Sequence, residues 1–598
     1  MIGFAIAYVA MAEPTNTEIA AALDELGDLY ELDGAIIHRI VAYRNAAKAV
    51  RDAPVSVTGL ARQGRATELP GIGSTIQEKV IALADDGVIA AAARLRAKFP
   101  LGLLEMTRLP GLGPKRARRL YEELSIDSLA ALRAAAEAQQ IRTLKGFGPK
   151  AEEGFLAAVL AAEAGAGHRA EGDGAGRIVL HRALAVGEQL IDALRAHPAA
   201  ERVELAGSAR RMTDSVKDLD VIATAHDPLA LAQAAVALEL TESAQTPGES
   251  GVRLRTHTGL KVDLRIVAPD QFGNLMQHFT GSKQHNVALR EAAVRKGLHV
   301  SEYGVSDDAA GETHRCAREE EVYALLGLEY IEPELRENRG ELEAAASGTL
   351  PALITVADLR GDLHCHTTTS DGTASIQEMG LAARAAGYEY LAITDHSASF
   401  GFGDEVSPQR LLDQIAVIRE LSGSDEVGGI QLLAGSEVNI LPDGSLDYAN
   451  ELLAQLDWVV ASVHSSFAMD SAAMTARIVR AISNPLVDVI GHLSGRKIER
   501  RRPYTFDFPA VLEAALQTGT LLEINASPDR RDMNEVYARA AAAASIPIVI
   551  DCDAHRTTGF DVVRYGIATA RRAWLGPEAV ANCRPWNDVA ALRPRARG

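Results

Sequence analysis

The sequence predicts a multidomain α/β protein: helical modules first, then a small mixed sheet, then a parallel (β/α) barrel. Three observations carry this. Residues from about 15 to 165 hold alanine, leucine and charged residues at helical spacing, punctuated by three Gly-x-Gly phrases. From about 175 the pattern shifts to short β-like runs separated by helices: Val203-Glu-Leu-Ala, Leu219-Asp-Val-Ile, Val252-Arg-Leu-Arg and Leu260 to Val267. Beyond 350, strand-like segments ending in acids or histidines alternate with helical ones: Leu391 to His396, Leu432 to Glu437, Trp458 to His464, Val487 to His492, Leu521 to Asn525 and Pro547 to Asp553. That alternation predicts a parallel barrel with its chemistry at the carboxyl ends of the strands.

At 598 residues the chain exceeds one hydrophobic core and has room for three or four domains. Its hydrophobic share of 47% and charged share of 24% are those of a globular enzyme, which excludes collagenous, disordered and disulfide-scaffold classes. Cys316, Cys365, Cys552 and Cys583 have no paired spacing and are expected to be reduced thiols in a cytoplasm. The apolar opening Met1 to Ala10 lacks a basic leader and is short for a spanning helix. Met11, just ahead of a helical start at Thr15 to Glu18, is a candidate initiator. The net charge of −19 argues against bulk electrostatic coating of nucleic acid but allows local basic patches. Two exist, at Arg108, Lys115, Arg116, Arg118 and Arg119, and at Arg496, Lys497, Arg500, Arg501 and Arg502.

In the helical region, Leu69-Pro-Gly71-Ile-Gly73, Leu109-Pro-Gly111-Leu-Gly113-Pro-Lys115 and Leu144-Lys-Gly146-Phe-Gly148-Pro-Lys150 each lead into a helix. Each resembles a helix-hairpin-helix element, in which two glycines turn the backbone tightly and helix-start amides meet a phosphate without reading base sequence.

Asp218 and Asp220 flank one residue on a strand, so their carboxylates share a face, and Asp263 on a second strand can complete a cluster for two hard divalent ions. Upstream, Gly207-Ser208-Ala-Arg210-Arg211 offers a small turn, a hydroxyl and guanidinium groups to phosphate oxygens.

On these residues the segment from about 15 to 340 resembles an X-family DNA polymerase, with a nucleotidyltransferase palm and a thumb. The resemblance implies that Asp218 and Asp220 bind both metals, Mg²⁺ or Mn²⁺, and that Asp263 binds the catalytic one and helps deprotonate the primer hydroxyl. It further implies that Gly207, Ser208 and Arg211 hold the triphosphate. His278-Phe279-Thr-Gly281-Ser matches the family's turn near the incoming sugar and base, Asn286 the minor-groove asparagine and Arg290 a template contact. Glu332 to Arg336 resembles the end of the thumb. Lys79 occupies the position of the family's lyase lysine, with Tyr43, Arg44 and Lys48 resembling its helix and Thr75 standing where a second lysine is common. Three departures bear on selectivity and cradle shape: His278 replaces a tyrosine, and Met212 and Lys217 replace glycines.

The last series is His364, His366, Asp371, His396, Glu437, His464, His492, Asp553 and His555, six histidines and three acids over a repeated α/β pattern. It resembles the polymerase and histidinol phosphatase (PHP) domain, whose distorted seven-stranded barrel holds two or three ions at these nine positions; nitrogen and carboxylate donors favour Zn²⁺ or Mn²⁺. Cys365 and Cys552 alternate with the ligands and are expected to point away.

The expected domains are an 8-kDa-like helical domain at 1–90, a fingers-like hairpin domain at 91–170, palm at 171–275, thumb at 276–337, linker at 338–357 and barrel at 358–598. The expected function is short-gap filling in DNA repair by two-metal nucleotidyl transfer, with metal-dependent 3′-5′ exonuclease or end processing in the barrel. Gapped or primer-template DNA and dNTPs are the expected partners, for a monomer without membrane contact. The alternative is an end-processing nuclease, abasic-site endonuclease or phosphatase whose polymerase module mainly positions DNA; a silent DNA-binding scaffold is a third class.

Overall fold

The computed structural model describes residues 13–107, 109, 111–161, 176–399 and 406–596; Met1, Met11, Arg108 and Pro110 lie outside them, and of Lys150 only the backbone is described. The chain divides into two compact units. One holds the residues up to Ile178 with Arg182–Leu205 and Lys217–Ala268; the other holds Val179–His181, Ala206–Val216 and everything from Pro269.

The first unit opens on the helix Asn16–Leu32, started by a capping box in which Thr15 and Glu18 satisfy each other's backbone amides. Its apolar face, with Ile19, Leu23 and Leu26 fully buried, seeds a core shared by the following helices through Val159. The three hairpin phrases take one shape. The amides of Ile72, Leu112 and Phe147 donate to the carbonyls of Leu69, Leu109 and Leu144, and these three apolar side chains are buried between exposed glycines. Gly71, Gly111 and Gly146 have φ of 81°, 78° and 89°, a region that only glycine enters freely.

The same unit carries a five-stranded sheet: β1 (Ala200–Leu205), β2 (Asp218–Ala225), β3 (Thr241–Ala244), β4 (Gly251–Thr256) and β5 (Lys261–Ile266). The order is β1-β2-β5-β4-β3, with β2 and β5 parallel and the other pairs antiparallel, which makes the sheet mixed as expected. Strict alternation along β5, with Val262, Leu264 and Ile266 buried, turns Asp263 to the opposite, accessible face.

In the second unit the helices Phe272–Thr280 and Lys283–Val294 precede an antiparallel meander of β6 (Leu298–Ser301), β7 (Gly304–Asp307) and β8 (Glu312–His314). Arg336 is fully buried between the Tyr323 and Tyr330 rings and bonds Glu319, which also pairs with Arg210. The alanine-rich connector that follows is packed: it holds the helix Glu341–Ser347, whose first side chain accepts the amides of Asn338 and Arg339 and meets buried His285 at 2.7 Å. Gly340 and Gly348, within the segment expected as a linker, are the two caps of that helix.

Seven parallel strands then follow in chain order: β9 (Gly361–Cys365), β10 (Tyr390–Ile393), β11 (Gln431–Asn439), β12 (Trp458–Ser462), β13 (Val489–Ile490), β14 (Leu521–Asn525) and β15 (Ile548–Asp551). A bridge from Cys365 to Ala554 brings the last strand round to the first, leaving a nearly closed barrel. Burial on both faces explains the almost continuous apolar runs in these strands.

Candidate functional site

The nine barrel residues expected as ligands come from the carboxyl ends of β9 to β13 and β15 and the loops that follow them, and they meet in one centre. Three overlapping sets have donor atoms within 4.8 Å of one another: His366, Asp371, His396 and His555; His364, His366 and Glu437; and His396, Glu437 and His464. His492 Nε2 lies 2.9 Å from Glu437 Oε1, and His366 Nε2 lies 3.2 Å from Asp553 Oδ1. His364 Nε2 and both His366 ring nitrogens are buried and lack a hydrogen bond of acceptable geometry, although carboxylates stand 3.2 to 3.8 Å away. Orphaned imidazole nitrogens aimed at shared carboxylates are poor hydrogen-bonding but good cation coordination, so the residues fit a cluster of divalent ions.

Electrostatics say the same. Burial lowers His366 and His492, to about 4 and about 3. Burial would lower His396 and His555 too, but Glu437 and Asp371 in the first case, and Asp371 and Asp553 in the second, hold them up to about 9. Burial raises Glu437 and Asp553, yet the imidazoles around them keep both well below the carboxylate range. Two donors sit on strained backbone, His492 at φ 29° and Asp553 at φ 53°. Asp371 and His555 are the most exposed members, at 30% and 36%, and mark the open side of the centre.

Sequence reading overlooked the residues that hold these donors. Glu523, mid-strand in an apolar run, stands 2.6 Å from His364 Nδ1; Asn439 stands 2.6 Å from His464 Nδ1; Asn525 donates to Asp553 at 3.1 Å. A carboxylate inside Leu521-Leu-Glu-Ile-Asn was the available signal. Cys365 and Cys552 point into the core, bonding the carbonyls of Ala392 and Phe560.

The second basic patch divides by role. Arg496 is committed to Asp214 and to the carbonyls of Arg530 and Arg531, while Arg501 donates to the Gly495 carbonyl and stacks 3.9 Å over Phe467. Half-buried Lys497 is lowered by burial and by the neighbouring Arg530 and Arg501. Arg530, absent from the sequence reading, lies 4.0 Å from Asp553 with its Nη1 buried and without a hydrogen bond.

In the palm, Asp220 and Asp263 are register partners on β2 and β5, and Asp218 lies two residues earlier on the same face. Asp218 and Asp263 both line an open cavity of about 570 Å³ together with Arg253, Arg255 and Lys261. Arg253 donates to Asp263 at 3.1 Å and Arg265 stands 3.4 Å from its other oxygen. Both Asp263 oxygens thus have a guanidinium partner, and among the described residues the donor groups that close within 4.8 Å all lie in the barrel.

The turn after β1 holds half-buried Ser208, with Gly207 at φ 65° and Met212 at φ 55°. Arg211 donates to the Thr280 carbonyl at 2.7 Å and to Glu337 at 3.1 Å. His278 sits 3.1 Å from Arg290 and 3.8 Å from Glu302, and burial pulls it below its usual range. The Asn286 amide donates to the His278 carbonyl and accepts from Gln277; a Cβ at Gly281 would come within 2.4 Å of it, so a side chain there would have to displace that amide. Phe279 is half-buried and tilted against His278.

In the helical region Lys79 Nζ bonds the Thr75 carbonyl at 3.2 Å and lies 5.8 Å over the Tyr43 ring. The helices after Gly73 and Gly113 have no side-chain cap, and a Cβ at Gly73, Gly113 or Gly148 would meet nothing within 4 Å. Lys115 is exposed, whereas Arg116 and Arg119 bond the carbonyls of Gly111 and Lys145.

Hairpin modules with bare helix starts, a mixed sheet displaying three acids on one face and a barrel with a nitrogen-and-oxygen centre define a metal-using enzyme of nucleic-acid phosphate chemistry. Models of known families match in the same order: a helix-hairpin-helix domain at 14–89, a SAM-like helix-hairpin-helix tandem at 103–154, a DNA polymerase beta thumb at 275–337 and a PHP domain at 362–526. A DNA polymerase/3′-5′ exonuclease PolX of Bacillus subtilis is 35% identical over 580 residues, 97% of this chain and 99% of that protein. Probable phosphatases match the barrel alone: one of Thermoanaerobacter sp. is 33% identical over 37% of this chain and 89% of its own, and one of Edwardsiella ictaluri 28% over 40% and 95%. The chain belongs to the X-family DNA polymerases that carry a C-terminal PHP domain.

Proposed function

We infer that this protein fills short gaps in DNA with its palm and trims 3′ ends with its barrel. The observation that carries this reading is the end-to-end match to a polymerase and 3′-5′ exonuclease, in a chain whose barrel donors converge. In the palm, Asp218, Asp220 and Asp263 would hold two divalent ions, Mg²⁺ or Mn²⁺. Bound there, the ions supply positive charge that eases loss of the primer hydroxyl proton and neutralises the departing pyrophosphate. Ser208 and Arg211 hold the triphosphate, the Gly207 turn lets the backbone come close, Phe279, Gly281 and Asn286 receive the sugar and base, and Arg290 meets the template. His278 in the tyrosine position bears on selection between dNTP and rNTP.

In the barrel, the nine donors would hold two or three ions, Zn²⁺ or Mn²⁺, which supply the charge that activates water and binds a phosphodiester. Lys497 and Arg530 meet the phosphate oxygens and hold the strand terminus beside the open edge at Asp371 and His555. The barrel matches to probable phosphatases favour removal of a 3′-terminal phosphate as a second activity of the same centre. Gly71, Gly73, Gly111, Gly113, Lys115, Gly146, Gly148 and Lys150 hold backbone phosphates of gapped or primer-template DNA. Lys79, bonded to Thr75 in a shallow setting, serves as a phosphate contact or as the lyase amine.

Primer extension and end release on a gapped duplex test the assignment. Asp218→Ala should lose at least about a hundredfold in extension and keep end release, and His364→Ala should do the reverse. Extension that survives Asp218→Ala, or release that survives His364→Ala, would sink the corresponding half.

A further inference from the structure

The short turn between β1 and β2 carries Ser208 and Arg211, yet residues 206–216 cluster with the barrel-bearing unit. Within the turn, Thr213 Oγ1 donates to the Ser208 and Ser215 carbonyls and Arg211 N to Gly207 O; beyond it, Arg210 bonds Thr280 and Glu319, Arg211 bonds the Thr280 carbonyl, and Leu180 N donates to Asp214 O. Three barrel arginines add to these ties. Arg496 Nη1 donates to Asp214 at 2.7 Å. Arg531, 1% exposed, has Nη1 3.3 Å from the other Asp214 oxygen, a charge contact too poorly angled for a hydrogen bond, while its Nε donates to Thr569. Arg572 Nη1 donates both to the Arg211 carbonyl at 2.8 Å and to Glu337 at 3.0 Å, the carboxylate that also fixes the Arg211 side chain.

We propose that the barrel is a structural part of the nucleotide cradle, with Arg496, Arg531 and Arg572 as positioning residues that hold the Ser208–Arg211 turn through Asp214 and the Arg211 backbone. This rests on the reading that the turn binds the triphosphate. Burying a guanidinium is costly unless a carboxylate compensates, and for Arg531 the compensating group is Asp214. A turn of this kind needs no such anchor merely to connect two strands. An arginine fixed at Nε and Nη1, on a backbone gripped at its own carbonyl, meets a phosphate without first losing rotamer freedom, which raises affinity for the nucleotide. Arg530 and Arg531 are neighbours on the loop after β14, so the loop that reaches Asp214 also brackets Asp553. An end-trimming domain thereby sets how tightly the polymerase holds its nucleotide.

The test compares the intact full chain with Asp214→Asn, Arg496→Gln, their double variant and Arg496→Lys, measuring KM and kcat for a dNTP in gap filling, 3′-end release and the melting temperature. Asp214→Asn and Arg496→Gln should each raise KM about tenfold with kcat within about threefold, and the double should be no worse than the worse single. Arg496→Lys should recover most of the affinity, and Asp214→Asn should leave end release within about twofold of the unsubstituted protein. A KM within about twofold in both single variants overturns the proposal. So does a parallel fall of KM performance, kcat, end release and melting temperature, which would mark Asp214 as general structural support. An unsubstituted protein that neither extends a primer nor binds dNTP overturns the underlying reading and the proposal with it.

Discussion

His364 meets Glu523 at 2.6 Å through Nδ1, and that contact decides which nitrogen is offered to a cation. A ring anchored there presents Nε2 toward Glu437 and Asp553, already turned and in the right tautomer. Glu523→Gln keeps the shape and most of the hydrogen bonding but loses the charge that makes the imidazole a strong donor. Divalent-ion affinity of the barrel should fall about tenfold to a hundredfold, read by competition with a chromogenic chelator, with primer extension unaffected. An unchanged affinity would mean that Glu523 only fills space. The nine donors were legible because chemistry demands histidine and acid at strand ends, and the residue types stand out one by one. Glu523, Asn439 and Arg530 were not, because a glutamate, an asparagine or an arginine acquires its role only when folding brings it to a partner far along the chain.

The hairpin elements separate what glycine does for the fold from what it does for a ligand. Gly71, Gly111 and Gly146 need their positive φ, so a side chain there strains the turn by about 1 kcal/mol. Gly73 and Gly113, with φ of −91° and −67°, sit where any residue can, and a Cβ on either meets nothing. Gly113→Val should therefore cost at most about 0.5 kcal/mol of stability while weakening binding to gapped DNA about fivefold, because the side chain occupies the approach of a phosphate to the uncapped helix start. Melting and anisotropy titration measure the two effects; equal DNA affinity would remove the phosphate from that turn. At this scale the sequence was readable wherever period and punctuation agreed, as in the hairpins, the palm alternation and the barrel strands. It was silent elsewhere: Gly340 and Gly348 turn out to cap a short helix, and β6 to β8 are too short to show a period.

The second unit as a whole is tied by carboxylates shared among arginines: Glu319 between Arg210 and Arg336, Glu337 between Arg211 and Arg572, and Glu535 between Arg572 and Arg339. Glu535 gives the sign of the pH response. Burial alone would raise it, but Arg572 and Arg339 bring it from an ordinary 4.5 down to about 2. A carboxyl that is more acidic folded than unfolded binds fewer protons in the native state, so its stabilisation is complete above 4.5 and is lost as pH falls from there toward 2. The difference corresponds to about 3 kcal/mol at neutral pH, for a side chain only 16% exposed. Glu535→Gln should therefore unfold in urea at markedly lower concentration than the unsubstituted protein at pH 7. The gap should narrow below pH 4.5 and nearly close by about pH 2, since both proteins then carry an uncharged group beside Arg572. Paired urea titrations across that range check it, the barrel carboxylates being common to both proteins and cancelling in the comparison. A gap that stays constant with pH would assign the loss to shape instead of charge and remove Glu535 as an electrostatic tie between the connector and the barrel.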